Sequence, residues 1–426
     1  MERTPEELRR AFWEDDASRG AIIRKQYDEI KEVLEKNDLA WVQEQLRAVK
    51  QHAIDQTEYY KNCNIDDAFP IVNKNSILAN YEAHKAKGGF DLPLHTSSTS
   101  GSTGTPFSVI QDYRKRMRHI ADLKVFGELC DYPSHERMIF FRIFSDKLHR
   151  TPEQEARENI FCVDSSELSE KHLEEMLQVI LEKKPRIIFS YPSTLVELAK
   201  YLAVREPQVK CHVRAALTGG EGIPEDDRKL VEQTFKCTVY RRYSDMELGI
   251  LGQDLGDGKK YFLNYGSYYF ECLKEDCDEP AGPGEVGRIV VTDLFNYAFP
   301  MIRYDTGDLG ILDDTVDGKF PMFKEIYGKK RDCIYTTDGR MLSPAKIFVS
   351  MWGIEGIKQW QFIQETANEY ILKINSNGEV NHEKIVAKIK GVVGEDAIIT
   401  VEYVEEIPVI TSRKRRAIVC NYKKEK

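Results

Sequence analysis

The chain lacks a basic excess, a paired-cysteine motif, a long apolar run and a lysine in its most phosphate-like loop. Each absence removes a class of function. Its 426 residues carry 61 Lys and Arg against 70 Asp and Glu, a net charge of −9, so it has no electrostatic footprint for nucleic acid. No nucleic-acid partner is expected. The nine cysteines are odd in number and scattered without a Cys-x-x-Cys pair, which points to free thiols in a reducing compartment rather than a disulfide scaffold. No apolar stretch approaches the roughly 18 residues needed to cross a bilayer, and the charged start Met1-Glu-Arg-Thr-Pro-Glu-Glu7 has no apolar core of a secretory signal. The expected location is the cytoplasm, by elimination.

What is present is a chain that is 41% hydrophobic and 31% charged, long enough to bury a large core and too long for a typical single domain. Residues 1 to about 65 read as helical, with Ile30, Val33, Leu34, Leu39, Val42, Leu46 and Val49 at roughly helical spacing. From about 138, short apolar runs alternate with amphipathic stretches, the pattern of an α/β fold. The expected strands are Met138–Phe144, Arg186–Ser190, Val213–Leu217, Thr238–Tyr243 and Arg288–Thr292. Between them, Leu173, Met176, Leu177, Ile180 and Leu181 form one helical face; Ser193 is expected to cap a helix carrying Leu195, Leu198 and Leu202, and Pro224 to open another. After about 327 the period changes at Gly328-Lys-Lys-Arg-Asp332, and Tyr370–Ile374 and Thr400–Val404 read as strands around a helix near 382–391. The expected architecture is a large multi-sheet α/β N-terminal domain, residues 1–327, and a smaller α+β C-terminal domain, residues 328–426.

One stretch stands apart in composition. In Thr96–Pro106 eight of eleven residues are Ser or Thr and two are Gly. Glycines let backbone N–H groups converge on an anion, and hydroxyls supply further donors. A flexible Ser/Gly surface loop has the same composition, and the stretch is not a Walker loop, which requires Gly-Lys-Ser/Thr. Later segments then follow in order: Thr218-Gly-Gly-Glu-Gly222, Tyr243-Ser-Asp-Met-Glu247 and Arg303-Tyr-Asp-Thr-Gly-Asp308 each follow an apolar strand, and Ser412-Arg-Lys414 lies near the end.

This succession resembles the adenylate-forming superfamily of acyl-CoA synthetases, and within it the phenylacetate-CoA ligase family with its capsular-polysaccharide-associated relatives. The likeness runs over nearly the whole chain. It implies that Ser98, Thr99, Ser100, Gly101, Ser102, Thr103 and Gly104 hold the β- and γ-phosphates of ATP. Glu247 would bind Mg²⁺ through a hard carboxylate oxygen. Asp308 would accept hydrogen bonds from both ribose hydroxyls, Gly219, Gly220 and Glu221 would line the adenine site, and Tyr243, with Ser244 beside it, would stack on the base. Lys414 would neutralise the charge that grows as a carboxylate attacks the α-phosphorus. Lys329, or Arg331 in a shifted register, would meet the ribose from the hinge, letting a mobile C-terminal domain rotate between half-reactions.

Each position also has a plainer reading. Thr306-Gly-Asp308 is ordinary turn chemistry, Glu247 suits an exposed helix cap, Tyr243 a closed core, and Arg413 to Arg416 a solvated basic run. The chain departs from the family pattern at Ser244, Met246, Lys329 and Arg413, and Phe107 follows Pro106 where many relatives place lysine. No zinc is expected, because Cys272 and Cys277 lack imidazole neighbours. The expected activity is ATP-dependent formation of an acyl adenylate from a small carboxylic acid, aryl or arylacetic by resemblance, followed by transfer to coenzyme A. A carrier protein, amine or sugar acceptor is the alternative, and a non-catalytic nucleotide-binding scaffold a further one. The resemblance also makes a homodimer plausible.

Overall fold

The computed structural model describes residues 3–88, 90, 93–99, 107–142, 150–165, 168–204, 213–220, 222–223, 225–313, 318–329, 334–342, 347, 350–351, 354, 356–376, 378, 380–405, 407 and 418–422. These form two compact units, one built from most of the chain up to Glu325 and one from Ile326 onward together with Gly307–Leu309.

The large unit opens with three helices, Pro5–Ser18, Ile22–Lys36 and Leu39–Gln56. A capping box starts the first: Glu7 N donates to Thr4 Oγ1 at 3.2 Å and Thr4 N to Glu7 Oε2 at 2.8 Å. The second begins after Ala21, a left-handed residue with no side-chain cap of its own. Buried Asp16 supplies one instead, accepting from Ile23 N at 3.0 Å and Arg24 N at 2.9 Å. This second helix packs on Tyr113–Glu128, the helix that later carries buried charge toward the site.

Among the described residues, eleven strands make one sheet, in the order Tyr268–Leu273, Gly287–Asp293, Tyr304–Leu312, Phe323–Lys329, Tyr261–Leu263, Gly249–Asp254, Thr238–Asp245, Ala215–Gly219, Ile187–Ser190, Met138–Arg142, Ile160–Asp164. The five from Thr238–Asp245 to Ile160–Asp164 are parallel, whereas Thr238–Asp245 pairs antiparallel with Gly249–Asp254 on its other edge. Alternation along the parallel strands sends Ile139, Phe141, Ile188, Ala216 and Val239 to one face, where they meet Leu173, Met176, Leu177, Ile180, Leu195, Leu198, Leu202, Val231 and Phe235 from three helices. Each of these side chains larger than alanine contributes on the order of 1.5–3 kcal/mol by leaving water. The other face presents Met138, Ile187, Ala215 and Leu217 to Cys130 and Tyr132, with Phe189 and Tyr240 half-buried beside them.

All five expected strands of this unit are found, within a few residues at their ends. Met138–Phe144 is followed only to Arg142, beyond which the next residues lie outside the described set. The helix at Pro192–Ala203 corrects one expectation: Tyr191 is its N-cap and Pro192 occupies the first turn, so Ser193 lies inside the helix rather than capping it. Proline, with a preset φ and no N–H, takes the first helical position. Pro224 lies outside the described residues, immediately before the helix Glu225–Phe235.

The small unit has a four-stranded sheet in the order Ile398–Tyr403, Glu369–Ser376, Ile357–Gln364, Ile418–Cys420, with the helix His382–Val393 and a short hairpin of Ile334–Tyr335 and Met341–Leu342. The expected strands and helix of this segment are found here. Its core gathers Phe362, Tyr370, Leu372, Ile374, Ile385, Ile389 and Val393. No helix among the described residues is long and apolar enough to cross a membrane.

Candidate functional site

The carboxyl ends of Met138–Arg142, Ile187–Ser190, Ala215–Gly219 and Thr238–Asp245 lie along one edge of the parallel half-sheet, because these strands share a direction. In open α/β sheets that edge is where ligands bind. Gly219 closes its strand in register with Arg242, and Gly220 follows at φ +80, a left-handed conformation that favours glycine. Gly219 is less constrained, since a Cβ there would only touch the Phe189 ring at 3.4 Å. Glu221 lies outside the described residues.

Between Tyr243 and Ser244 the pairing with Gly249–Asp254 shifts register, and the chain turns back through Asp245-Met-Glu-Leu248. Asp245 Oδ1 caps this turn by accepting from Leu248 N at 2.6 Å. Gly249 makes the reversal possible: its φ is +117, and a Cβ there would lie 2.8 Å from His119 Nδ1 and 3.1 Å from the Tyr268 hydroxyl. Glu247, on this turn, is 8% exposed. Its only described hydrogen-bond contact is the Tyr304 hydroxyl, at 3.5 Å from Oε1. No ion pair is formed by this carboxylate among the described residues, which suits it to receive a cation from a ligand.

Two further expected segments converge on this turn. The hairpin His95–Thr99 with Phe107–Gln111 is in register Thr99↔Phe107, and Ser97 Oγ donates to the Met246 carbonyl at 2.6 Å. Ser98 and Thr99 thus lie on a strand, although their side chains are outside the described set, as are Ser100, Gly101, Ser102, Thr103 and Gly104 entirely. Phe107 is fully buried and stacks parallel to Tyr304 at 6.5 Å. From the strand Tyr304–Leu312, Tyr304 reaches Glu247, and the Tyr243 hydroxyl donates to Thr306 Oγ1 at 3.4 Å. Tyr243 is buried, with its hydroxyl tied into the sheet. Asp308 is buried on that strand, one residue after Gly307 at φ +77. Arg303 is committed elsewhere, to Glu271 at 3.0–3.2 Å and to the Phe69 carbonyl at 2.9 Å. Lys329 ends the strand Phe323–Lys329 with its side chain outside the described set; Arg331 and Lys414 lie outside it altogether.

Beneath the turn is a buried polar network that sequence reasoning missed. Lys115 and Asp293, both fully buried, pair at 2.7 Å; Lys115 Nζ also donates to the Tyr268 hydroxyl at 3.0 Å, which donates to the Leu248 carbonyl at 2.5 Å. One turn along the helix, Arg118 binds Ser267 Oγ at 3.0 Å, the Gly266 carbonyl and Glu29. Asp122 accepts from Asn264 at 2.8 Å and Ser267 at 2.7 Å, and burial raises its carboxyl above the ordinary range. His119 on the same helix is pushed down to about 3 by burial and by the positive charges of Lys115, Arg116 and Arg242. The available signal was the run Arg114-Lys-Arg-Met-Arg-His119 in a chain of net negative charge.

Comparison with solved structures settles the architecture. The chain has the fold of the adenylate-forming ligases. A 2-hydroxyisobutyryl-CoA ligase in its postadenylation state, in complex with an acyl-AMP, superposes with a TM-score of 0.70 at 16% identity over 89% of this chain and 88% of that one. The amide bond synthetase McbA from Marinactinospora thermotolerans gives 0.56 at 14%, over 76% and 67%, and ATP-bound MatB from Rhodopseudomonas palustris 0.57 at 13%, over 80% and 70%. Residues 334–421 match the CapK C-terminal domain family. No curated protein matches the chain.

Proposed function

We propose that this adenylate-forming fold activates a carboxylic acid with ATP. A carboxylate oxygen attacks the α-phosphorus, the bond to the β-phosphate oxygen breaks, and pyrophosphate leaves. A thiol then attacks the acyl carbonyl, AMP departs with the carboxyl oxygen, and the thiol proton passes to solvent. Residues 1–327 act as the adenylation domain and 328–426 as a mobile lid carrying Lys414. Coenzyme A is the acceptor in this reading, and an aryl or arylacetic acid is the substrate class suggested by family likeness. A homodimer in the cytoplasm is part of the same reading.

The observation that carries it is the meeting of three separated segments at one turn: Ser97 of the Ser/Thr-rich hairpin, Glu247, and Tyr304 of the Tyr-x-Thr-Gly-Asp strand. Glu247 fits Mg²⁺. Magnesium takes few protein carboxylates, with phosphates and waters completing its shell, and among the described residues there is no cluster of three or more ligating side chains that would instead make a closed cage. When bound, the ion would neutralise the ATP phosphates. The chain's own groups hold ATP in place: hydroxyls of 98–103 on the β- and γ-phosphates, Asp308 on the ribose, Gly219 to Glu221 and Tyr243 at the base, with Lys329 or Arg331 at the hinge. Lys414 opposes the charge developing between carboxylate and α-phosphate.

Pyrophosphate release across a panel of carboxylic acids, in wild type and Lys414→Ala, tests this. Release that depends on the acid and falls at least about 100-fold in the variant is expected. No release with any acid refutes the ligase reading and leaves a nucleotide-binding scaffold; unchanged release in the variant removes Lys414 from the mechanism. Acid-dependent AMP formation that continues with coenzyme A, but not with a carrier protein or a free amine, assigns the acceptor.

A further inference from the structure

Several buried or half-buried cations of the large unit have an acid beside them among the described residues. Lys115 meets Asp293, Arg118 meets Glu29, Arg241 meets Asp254 and Arg303 meets Glu271. Arg242 is 9% exposed, yet no carboxylate among the described residues pairs with it. Its Nε and Nη2 both donate to one neutral acceptor, Gln253 Oε1, at 3.0 and 2.8 Å, and Gln253 is itself held by the Phe126 carbonyl at 3.1 Å. The titratable groups that face Arg242 favourably are Cys130 and Tyr132. Burial pushes the Cys130 thiol up to about 11 and raises the Tyr132 hydroxyl as well, so both stay neutral and cannot offset the guanidinium, which remains charged.

The surroundings add positive charge rather than removing it. His119 sits within the field of Lys115, Arg116, Arg242 and His95. Arg116, whose guanidinium is lowered chiefly by burial, makes no ion pair among the described residues. The floor beside Arg242 is aromatic: its guanidinium lies 5.7 Å from the Phe189 centroid, Phe189 stacks on Phe140 at 4.9 Å and 9°, and Arg142 lies 5.7 Å over Phe140. Arg242 also stands in register with Gly219 and directly precedes Tyr243, so the cation is built into the ligand edge of the sheet. A buried guanidinium without an acid is expensive, and its planar fork matches a carboxylate or phosphate.

We propose that Arg242 is the specificity-determining residue for the acid, and that it receives a second anionic group, a carboxylate or phosphate, carried by that acid at the end remote from the carboxyl being activated. The assignment rests on the adenylation reading above. The substrate is then a dianion with a short or flat body lying over Phe140 and Phe189. A hydrocarbon aryl acid would leave the guanidinium without a counter-charge among the described residues.

The test uses the full chain and acids matched in size: butyrate, benzoate and phenylacetate against succinate, glutarate, isophthalate and 3-phosphoglycerate. ATP–pyrophosphate exchange measures kcat/KM for each, and thermal shift without ATP measures binding. Acids with a second anionic group should exceed their monoanionic partners by about 10- to 100-fold, the range of a charge-assisted hydrogen-bonded pair. In Arg242→Met the ratio should fall to near one or invert. Arg242→Lys, which keeps the charge without the fork, should lie between and decides the matter if the methionine variant does not fold. Isophthalate and succinate together against 3-phosphoglycerate assign carboxylate or phosphate. A wild type that prefers monoanionic acids, or a preference for the second anionic group that survives both substitutions, overturns the proposal. If no acid supports exchange, the adenylation reading fails separately. The binding arm then decides: stabilisation of wild type, but not of the variants, by the dianions or by inorganic phosphate upholds an anion site at Arg242, and equal responses refute it.

Discussion

Replacing Lys115 by methionine should be among the most damaging single changes in the large unit. The side chain is fully buried and its ammonium lies 2.7 Å from Asp293 Oδ2. Asp293 cannot swing away, because its Oδ1 already accepts from Phe295 N at 3.0 Å and Asn296 N at 3.2 Å. The variant therefore leaves a carboxylate buried with no counter-charge, a loss of about 3–5 kcal/mol in comparable cases. The bond to the Tyr268 hydroxyl adds about 1 kcal/mol. Removing the stranded charge as well, in Lys115→Met with Asp293→Asn, should recover roughly half of the loss, since much of it is desolvation rather than attraction. Urea unfolding followed by tryptophan fluorescence reads this directly, because Trp41 stacks on Phe295 at 6.1 Å, two residues from Asp293. A cost below about 1 kcal/mol, or a double variant as unstable as the single one, would show that Asp293 is not a buried charge needing Lys115.

Further outcomes follow from the same geometry. Glu247→Gln should lower pyrophosphate exchange by about 100-fold or more and weaken its response to Mg²⁺; exchange at the wild-type rate would argue against a role in metal binding. Gly249→Ala forces a side chain into φ +117 and against His119 and Tyr268, so a loss of about 2 kcal/mol or more in urea is expected, and a neutral result would mean the turn relaxes freely. The His119 imidazole, held at about 3 against an ordinary 6.5, is neutral in the fold and charges on unfolding. Its contribution to stability is present above pH 6.5 and is lost as the pH falls toward 3. His119→Phe should flatten that part of the acid limb, and an unchanged limb in urea midpoints from pH 7 to 4 would contradict it.

The parts of the fold that were legible in sequence are those where one physical signal dominates. The apolar runs at Arg186–Ser190 and Val213–Leu217 correspond to central parallel strands, buried on both faces, and the face of Leu173, Met176, Leu177 and Ile180 to a helix packed on them. The segment Gly249–Asp254 was illegible because every residue is buried although Gln253 and Asp254 are polar. Burial there depends on Arg241 and Arg242, partners that no local pattern discloses. The helix Tyr113–Glu128 failed for the same reason, since Lys115, Arg118 and Asp122 occupy its inward face and imitate a solvated one. Within the candidate site, Glu247 and Gly220 could be selected from motif order. The isolation of Arg242 could not, because a missing acid is a property of surroundings assembled from three separate stretches of chain.

The change of direction at Thr238–Asp245, parallel on one edge and antiparallel on the other, also bears on how the chain reaches its native state. On one side its partners are separated in sequence by whole crossover helices, so closing those contacts is entropically slow. On the other, a three-residue connection brings Gly249–Asp254 alongside at once. The hairpin should therefore form early and wait with an unsatisfied parallel edge, an adhesive surface until Ala215–Gly219 docks. The period between those two events is when this molecule is most exposed to aggregation, and amide hydrogens on the two edges of one strand should acquire protection at different times during refolding.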